Sequence, residues 1–280
     1  MSLEVDGFLC PTSDAQAVEA QRDYCPAHYA LVERVNRFAV AVARVPRDLQ
    51  RRDADLFAAM LLGRAIQDFE GAILLATRGL RAQSRSLVRS TFETALYCVA
   101  ASRDLMLSQG ARLKPKKDES PSITIVDAIE AGHQRFRAQM AIALQQIPEA
   151  PEEHAAALAL LVEDIGNPGH LQDVDVKGLA EDLGQSGLYT TIYRPFSQDA
   201  HPSATSLEHH LVLTTDRKIA GLRIGPDYEQ FDETLTLAVC SLLVALDGFV
   251  DRFGTADERQ EMKDLAAAYR DLNERVTSAR

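Results

Sequence analysis

The sequence predicts an all-α fold, an irregular multi-helix bundle carrying one small β-hairpin near residues 209–225. Three observations predict it. Apolar residues recur at steps of three and four over long stretches, most clearly at Leu235, Val239, Leu242, Leu246, Phe249 and Phe253. Helix-start signatures recur, with Ser13 three residues before Gln16 and Thr255 three before Glu258. Strand-like pattern is confined to residues 210–214 and 218–224, on either side of Thr215-Asp216-Arg217.

In chain order, the Ser13–Gln16 capping box predicts a first helix from about Asp14 to Ala43, with Tyr24, Leu31, Val35, Phe38 and Val42 near helical spacing. Pro26 kinks or divides it, and Pro46 ends it. A second helix runs from about Arg47 to Arg78, with Leu56, Met60, Ile66, Phe69, Ile73 and Leu74 as a wide apolar face and Gly79 as its break. A third runs from about Arg81 to Ser108. Its core side is Leu80, Leu87, Thr91, Phe92, Ala95, Leu96 and Val99, while Arg81, Arg85, Arg89, Glu93 and Tyr97 step by four along a neighbouring stripe. Such a stripe is either a solvated ridge or one wall of a polar pocket.

The polar run 109–122 reads as a flexible loop. A helix from Ile123 to Gln146 follows, then a short Ala/Leu-rich helix ending near Ile165, the turn Gly166-Asn167-Pro168-Gly169, and a short helix capped by Asp175 and reaching Leu183. After the hairpin, Asp227 and Gln230 resemble another helix start, leading into the apolar run to Phe253. A charged helix from the Thr255 box to about Val276 closes the chain. No linker is long enough to separate two domains, so a single domain over residues 1–280 is expected, with 1–12 flexible.

Size and composition narrow the function classes. The chain has 280 residues, 46% hydrophobic and 25% charged, an ordinary globular balance. No uninterrupted apolar run reaches the roughly 18 residues of a membrane span. The opening MSLEVDGFLC has neither a basic nor an apolar leader segment, so no membrane partner and a cytoplasmic location are expected. Cys10, Cys25, Cys98 and Cys240 have no CxxC or Cys/His spacing, so a metal site is not expected and the thiols read as small buried hydrophobes. The net charge of -11 opposes non-specific nucleic-acid binding by the whole surface, while leaving room for a local basic groove. Nucleotide-loop, metalloprotease, hydrolase-elbow and EF-hand motifs are absent, and no cofactor is implied.

The densest polar chemistry lies in Leu188–Leu211, LYTTIYRPFSQDAHPSATSLEHHL, between apolar helical patterns. Arg194 and His201 are bracketed by Pro195 and Pro202, and Pro202 biases His201 toward an element boundary. Histidine as acid/base and arginine as anion clamp suit phosphodiester cleavage through a 2′-hydroxyl. The plain alternative is that Arg194 pairs with Asp199 or Glu93 and His201 bonds backbone at a turn.

Two resemblances follow from these residues. The segments GLRAQSRSLVRSTFETALYCVAA and VKGLAEDLGQSGLYTTIYRPFSQDAHPSATSLEHHL resemble the bacterial family of uncharacterised helical proteins DUF5677. The likeness lies in R-x3-E, here Arg89 and Glu93, and in Y-x3-Y-x3-S-x3-HPS, here Tyr189, Tyr193, Ser197 and His201-Pro202-Ser203. It implies a shared fold and no established activity. More loosely, Arg194-x6-His201 is similar to the R-x4-6-H pattern of HEPN-type helical domains, many of which are ribonucleases of toxin–antitoxin and phage-defence systems. Pro195 departs from that pattern, which usually has a polar residue after the arginine.

Two readings stand. In the first, the protein is a HEPN-like ribonuclease or RNA-binding defence protein. His201 and Arg194 are its catalytic pair, Tyr193 and Ser203 orient RNA, and two copies form a homodimer at the site. In the second it is a non-catalytic binding or scaffold protein. Arg89, Glu93, Tyr97, Tyr193, Arg194 and His201 then form either a structural network or a pocket for a small anionic ligand.

Overall fold

The computed structural model describes residues 8, 10–45, 53–108, 122–145, 159–160, 163, 174–200, 207–216 and 218–278. They fall into two compact units, one of Met1–Arg103 with Leu183–Arg280 and the other of Asp104–Asp182. The fold class is as the sequence implies, all-α, with a second strand pair that the sequence did not signal.

In the first unit, the helix expected over residues 14–43 is divided at Pro26, as the sequence allowed, into α1 (Pro11–Tyr24) and α2 (Pro26–Arg44). Proline is suited to the first position of a helix, so Pro11 and Pro26 each start one, and Cys25 between them leaves the helical region. Because Pro11 opens α1, Ser13 lies inside the helix and the N-cap position falls to Cys10. Tyr24 is 75% exposed, not part of the core. The third helix, α3 (Asp53–Thr77), buries Leu62, Ile66 and Phe69 but exposes Leu56, Met60 and Leu74, so its apolar face is narrower than the spacing indicated. Gly79 breaks it with φ 74, and α4 (Arg81–Ser102) follows. A Cβ on Gly79 would lie 2.5 Å from Pro226 Cβ, so glycine also lets residues 226–227 close over this turn, where the Asp227 N–H donates to the Gly79 carbonyl at 2.8 Å.

In the second unit, β1 (Met106–Ser108) pairs antiparallel with β2 (Ser122–Thr124). The third predicted helix therefore stops at Ser102 and does not reach Ser108. Asp104 adopts φ 52, a left-handed conformation that aspartate tolerates and a helix does not. Thr124 and Asp127 form an unanticipated reciprocal cap, with Thr124 N–H on Asp127 Oδ2 at 2.9 Å and Asp127 N–H on Thr124 Oγ1 at 3.1 Å. It starts α5 (Ile125–Gln145). Asp175 caps α6 (Val176–Asp182) as expected, accepting from the Lys177 N–H at 3.1 Å. The loop 109–121, most of the helix expected before Ile165 and the turn 166–169 lie outside the described residues.

The chain returns to the first unit through α7 (Ser186–Leu188), a π-helical turn Tyr189–Tyr193, and α8 (Arg194–Asp199). The wide turn has a local cause. In a regular α-helix the Pro195 ring would strike the Thr191 carbonyl. Here the Arg194 N–H instead reaches five residues back to Tyr189, which opens the turn. The expected hairpin is present as β3 (Leu211–Leu213) and β4 (Ile219–Leu222), antiparallel, with a register irregularity between Val212 and Leu213. Next come α9 (Phe231–Phe253) and α10 (Ala256–Ser278). The Thr255 box holds, with Thr255 N–H on Glu258 Oε2 at 2.7 Å and Glu258 N–H on Thr255 Oγ1 at 3.2 Å.

Helices α3, α4 and α9 pack together to form the core, with Leu62, Phe69, Phe92, Leu96, Leu235, Leu242, Leu246 and Phe249 fully enclosed. Helix α9 is long and apolar enough to cross a membrane by length and composition, and 78% of its most apolar window is buried inside the protein. At Gly248 it crosses α4 so closely that a Cβ would sit 2.8 Å from Val99 Cγ2. A second contact seats Tyr29 and Phe231 together, with the Tyr29 hydroxyl 2.6 Å from Thr77 Oγ1. This core fixes α4, and with it the stripe of arginines, against the Tyr189–Asp199 segment and the approach to α9.

Candidate functional site

Arg81, Arg85 and Arg89 follow one another at four-residue steps, which puts them on one stripe of α4. The stripe is not a solvated ridge. Arg81 and Arg85 are both buried, and all three guanidinium groups are engaged by residues far away in sequence.

Arg81 reaches the segment that precedes α9. Its Nη1 donates to Glu229 Oε2 at 2.9 Å and to Asp227 Oδ2 at 3.3 Å, and its Nη2 donates to Gln230 Oε1 at 2.7 Å. Arg85, one turn on, donates from Nη2 to the same Gln230 oxygen at 2.6 Å and from Nε to Thr234 Oγ1 at 3.4 Å. Its Nη1 lies 3.6 Å from Asp199 Oδ2, and its guanidinium carbon is 4.7 Å from the Phe196 ring centre. Burial first, then the Arg81 charge, push the Arg85 guanidinium down from its ordinary value, while Asp199, Glu233 and Asp227 act the other way. Arginine starts so far above neutrality that it remains a cation.

Arg89 faces the π turn. Its Nε donates to Ser197 Oγ at 2.8 Å and its Nη2 to the Tyr193 hydroxyl at 2.6 Å, with Glu93 Oε2 at 3.4 Å from Nη2. The guanidinium also lies 4.3 Å from the Tyr193 ring centre, and that ring stacks on Tyr189 at 5.1 Å. Tyr97 donates its hydroxyl to Glu93 Oε1 at 3.2 Å. Burial, then the Glu93 carboxylate, push the Tyr193 phenol up, so it stays protonated at neutral pH and can accept from Arg89.

The arrangement is therefore a ladder of cations bound by acids, amides and hydroxyls from two other segments. His209 joins it, with Nε2 at 3.7 Å from Asp199 Oδ1 and Nδ1 at 3.5 Å from Arg81 Nη1. His209, Asp227 and Glu229 also bring three potential ligand atoms within 4.8 Å of one another. The Arg81 Nη1 group already lies within reach of all three, so a metal ion would have to displace a buried cation from its partners.

Of the residues expected at a site, Arg89, Glu93, Tyr97 and Tyr193 come together in one cluster. Arg194 opens α8 with its side chain exposed, and neither Asp199 nor Glu93 pairs with it; those acids are taken by Arg85 and Arg89. His201 and Ser203 lie outside the described residues. Arg81 and Arg85 were read as part of the stripe but not placed at the site, and sequence reasoning missed Ser197, Asp199, His209, Asp227, Glu229 and Gln230 as members of the network. Asp227 and Gln230 carried a signal, but it read as a helix cap. The helix instead begins after Gln230, whose φ of 57 turns its side chain into the ladder's shared acceptor.

No curated protein and no solved structure matches the chain. One family does, over residues 55–219, more than half of the sequence. The match takes in all three arginines, Tyr193, Ser197 and Asp199, and ends before Asp227. The chain therefore belongs to the family of unknown function DUF5677.

Proposed function

We propose that this protein is a non-catalytic binding or scaffold protein in which the arginine ladder is an internal brace. One observation carries the reading. The Arg81, Arg85 and Arg89 guanidinium groups are each held by fixed partners, and Arg85 and Asp199 are nearly enclosed. Groups engaged in this way hold segments together; they are not poised to bind a transferred phosphate or move a proton. A polar network of this kind also fixes one relative placement of the segments it joins, here α4, the Tyr189–Asp199 segment and the entry to α9.

The exposed position of Arg194 favours a second reading, RNA cleavage by Arg194 and His201 at the junction of two copies. The experiment that separates them incubates the purified protein with labelled RNA beside Arg194→Ala, His201→Ala and Arg85→Ala. The brace reading expects no cleavage by any of the four, a stable Arg194→Ala and a destabilised Arg85→Ala. Cleavage by the parent that both Arg194→Ala and His201→Ala abolish, with folding intact, would overturn it in favour of the ribonuclease.

A further inference from the structure

Helix α3 carries two stripes of heptad spacing. Ala58, Leu62, Ala65, Phe69, Ala72 and Ala76 step by four and three, and all are buried in the core. Leu56, Met60, Gly63, Gln67, Glu70 and Leu74 repeat those steps two residues earlier, which puts them about 200° round the helix, on its outer side. Leu56, Met60 and Leu74 are 50%, 60% and 57% exposed there. The outer side of a helix on a core is normally polar, and this one has apolar residues at both ends of a seam.

Gly63 is an independent observation. Glycine in a helix interior is less stable than alanine, so it calls for something that approaches the backbone closely. At Gly71 the reason lies within the chain, since a Cβ would meet Leu87 Cδ1 at 2.9 Å. At Gly63, in the middle of the outer stripe, a Cβ would meet nothing within 4 Å among the described residues. The approach that Gly63 permits is therefore to something outside the chain.

We propose that a second copy of this chain packs on the outer stripe of α3, antiparallel, about a twofold axis at the level of residue 65. The spacing makes the stripe self-complementary in that arrangement. Leu56 meets the partner's Leu74, Met60 lies along the stem of the partner's Glu70, and the partner's Gln67 fills the space over Gly63. A parallel pair would instead set glycine on glycine, leaving a void, and glutamate on glutamate, a like-charge contact. Arg64 is paired with Asp68 at 3.1 Å and comes within a turn of the partner's Asp68 as well. These pairs bring no net charge to the axis, in a chain whose net charge of -11 opposes contact elsewhere. The three apolar side chains expose roughly 300 Å² per copy, a patch size that on monomers is often functional. With the polar members of the stripe the two copies bury roughly 1,000 Å², where specific but reversible interfaces begin. The inference goes beyond the brace, which is built on α4 and does not depend on it.

The test is sedimentation equilibrium of the full-length protein from about 1 to 300 µM, the range in which a small interface dissociates. The average mass is expected to rise from one chain toward two. Met60→Glu, at an exposed position, should keep the parent's circular dichroism spectrum. It should raise the dissociation constant about tenfold or more, because it sets carboxylates face to face across the seam. Adding Glu70→Lys should restore association, since the two new charges face each other only in an antiparallel pair. Leu74→Glu should weaken the dimer from the other end of the stripe, and it carries the test if Met60→Glu loses helix. A chain that stays monomeric throughout would overturn the proposal and give the stripe to another occupant, a different protein or a lipid surface. A dimer that neither glutamate weakens, or a charge swap that restores nothing, would overturn it too. Each of these outcomes leaves the brace intact.

Discussion

Gln230, whose own backbone sits in the left-handed region at φ 57, accepts through its Oε1 a hydrogen bond from Arg85 Nη2 at 2.6 Å. The same oxygen accepts from Arg81 at 2.7 Å. One side chain thus bridges two successive arginines of α4 at the start of α9, and it does so from a conformation that costs an L-residue about 1–2 kcal/mol. Gln230→Ala should lower stability by about 1–3 kcal/mol, because it keeps the strain and removes the acceptor. Gln230→Gly removes the acceptor but relieves the strain, and should be less harmful than alanine by about 0.5–1 kcal/mol. Urea denaturation of the three proteins reads both differences; an alanine variant more stable than the glycine one would contradict the bridge-under-strain account.

Asp199 and Arg85 form the most enclosed ion pair of the ladder, with side chains 5% and 8% exposed. Removing one partner of such a pair leaves a buried charge, so Asp199→Ala should cost about 2–4 kcal/mol, the lower end reflecting the help of Gln230 and Thr234. Arg85→Met in the same background should recover part of that loss, with a coupling of about 1 kcal/mol or more in a double-mutant cycle. Strict additivity of the two changes would mean that the pair does not act as a unit.

These two cases also mark how far the sequence could be read. The three arginines stood out as a stripe because helical spacing is local, and the helices that carry the core were legible for the same reason. Whether the stripe was a ridge or a wall was not legible, because its partners lie roughly 100 to 150 residues away, at Tyr193, Ser197, Asp199 and Gln230. The boundaries that went wrong each had a single-residue cause outside the periodic pattern. Pro11 starts a helix ahead of the expected cap, Asp104 ends one with a left-handed turn, and Gln230 delays another. Arg194 was singled out for its neighbours in sequence, whereas the acids expected to hold it are bound to α4.

Gly248 sets how closely α9 and α4 approach. Its substitution by alanine would place a methyl group 2.8 Å from Val99 Cγ2 and 3.0 Å from Val99 Cα, and the backbone contact cannot rotate away. Overpacking of this kind costs about 1–3 kcal/mol and outweighs the ~1 kcal/mol by which alanine favours a helix. Gly248→Ala should therefore lower the melting temperature, and adding Val99→Ala should restore only part of it.

The thiols should differ sharply in reactivity. Burial pushes Cys25 up to about 11 and Cys98 up to about 12, and it raises Cys240 as well. None of them supplies much thiolate near pH 8, where an ordinary exposed cysteine does. Alkylation of the native protein followed by peptide mapping should find Cys10, which is only half-buried, modified first and Cys98 last. Rapid labelling of Cys98 in native protein would mean that the α4–α9 contact opens readily.

His28 should make the protein acid-sensitive. It is buried at the start of α2, its Nε2 has no partner among the described residues, and burial lowers its proton affinity below the ordinary 6.5, only partly opposed by the Asp232 carboxylate. The folded state therefore binds this proton less readily than the unfolded chain does. Stability from this source is complete above the unfolded value, declines as pH falls below it, and is lost as pH passes through the lower folded value. His28→Leu keeps a side chain of similar bulk and removes the titration, so its melting temperature should fall less steeply than the parent's as pH drops below about 6.5. Parallel curves for the two proteins over that range would show that His28 takes its proton as easily folded as unfolded, and that the orphaned nitrogen is reached by water.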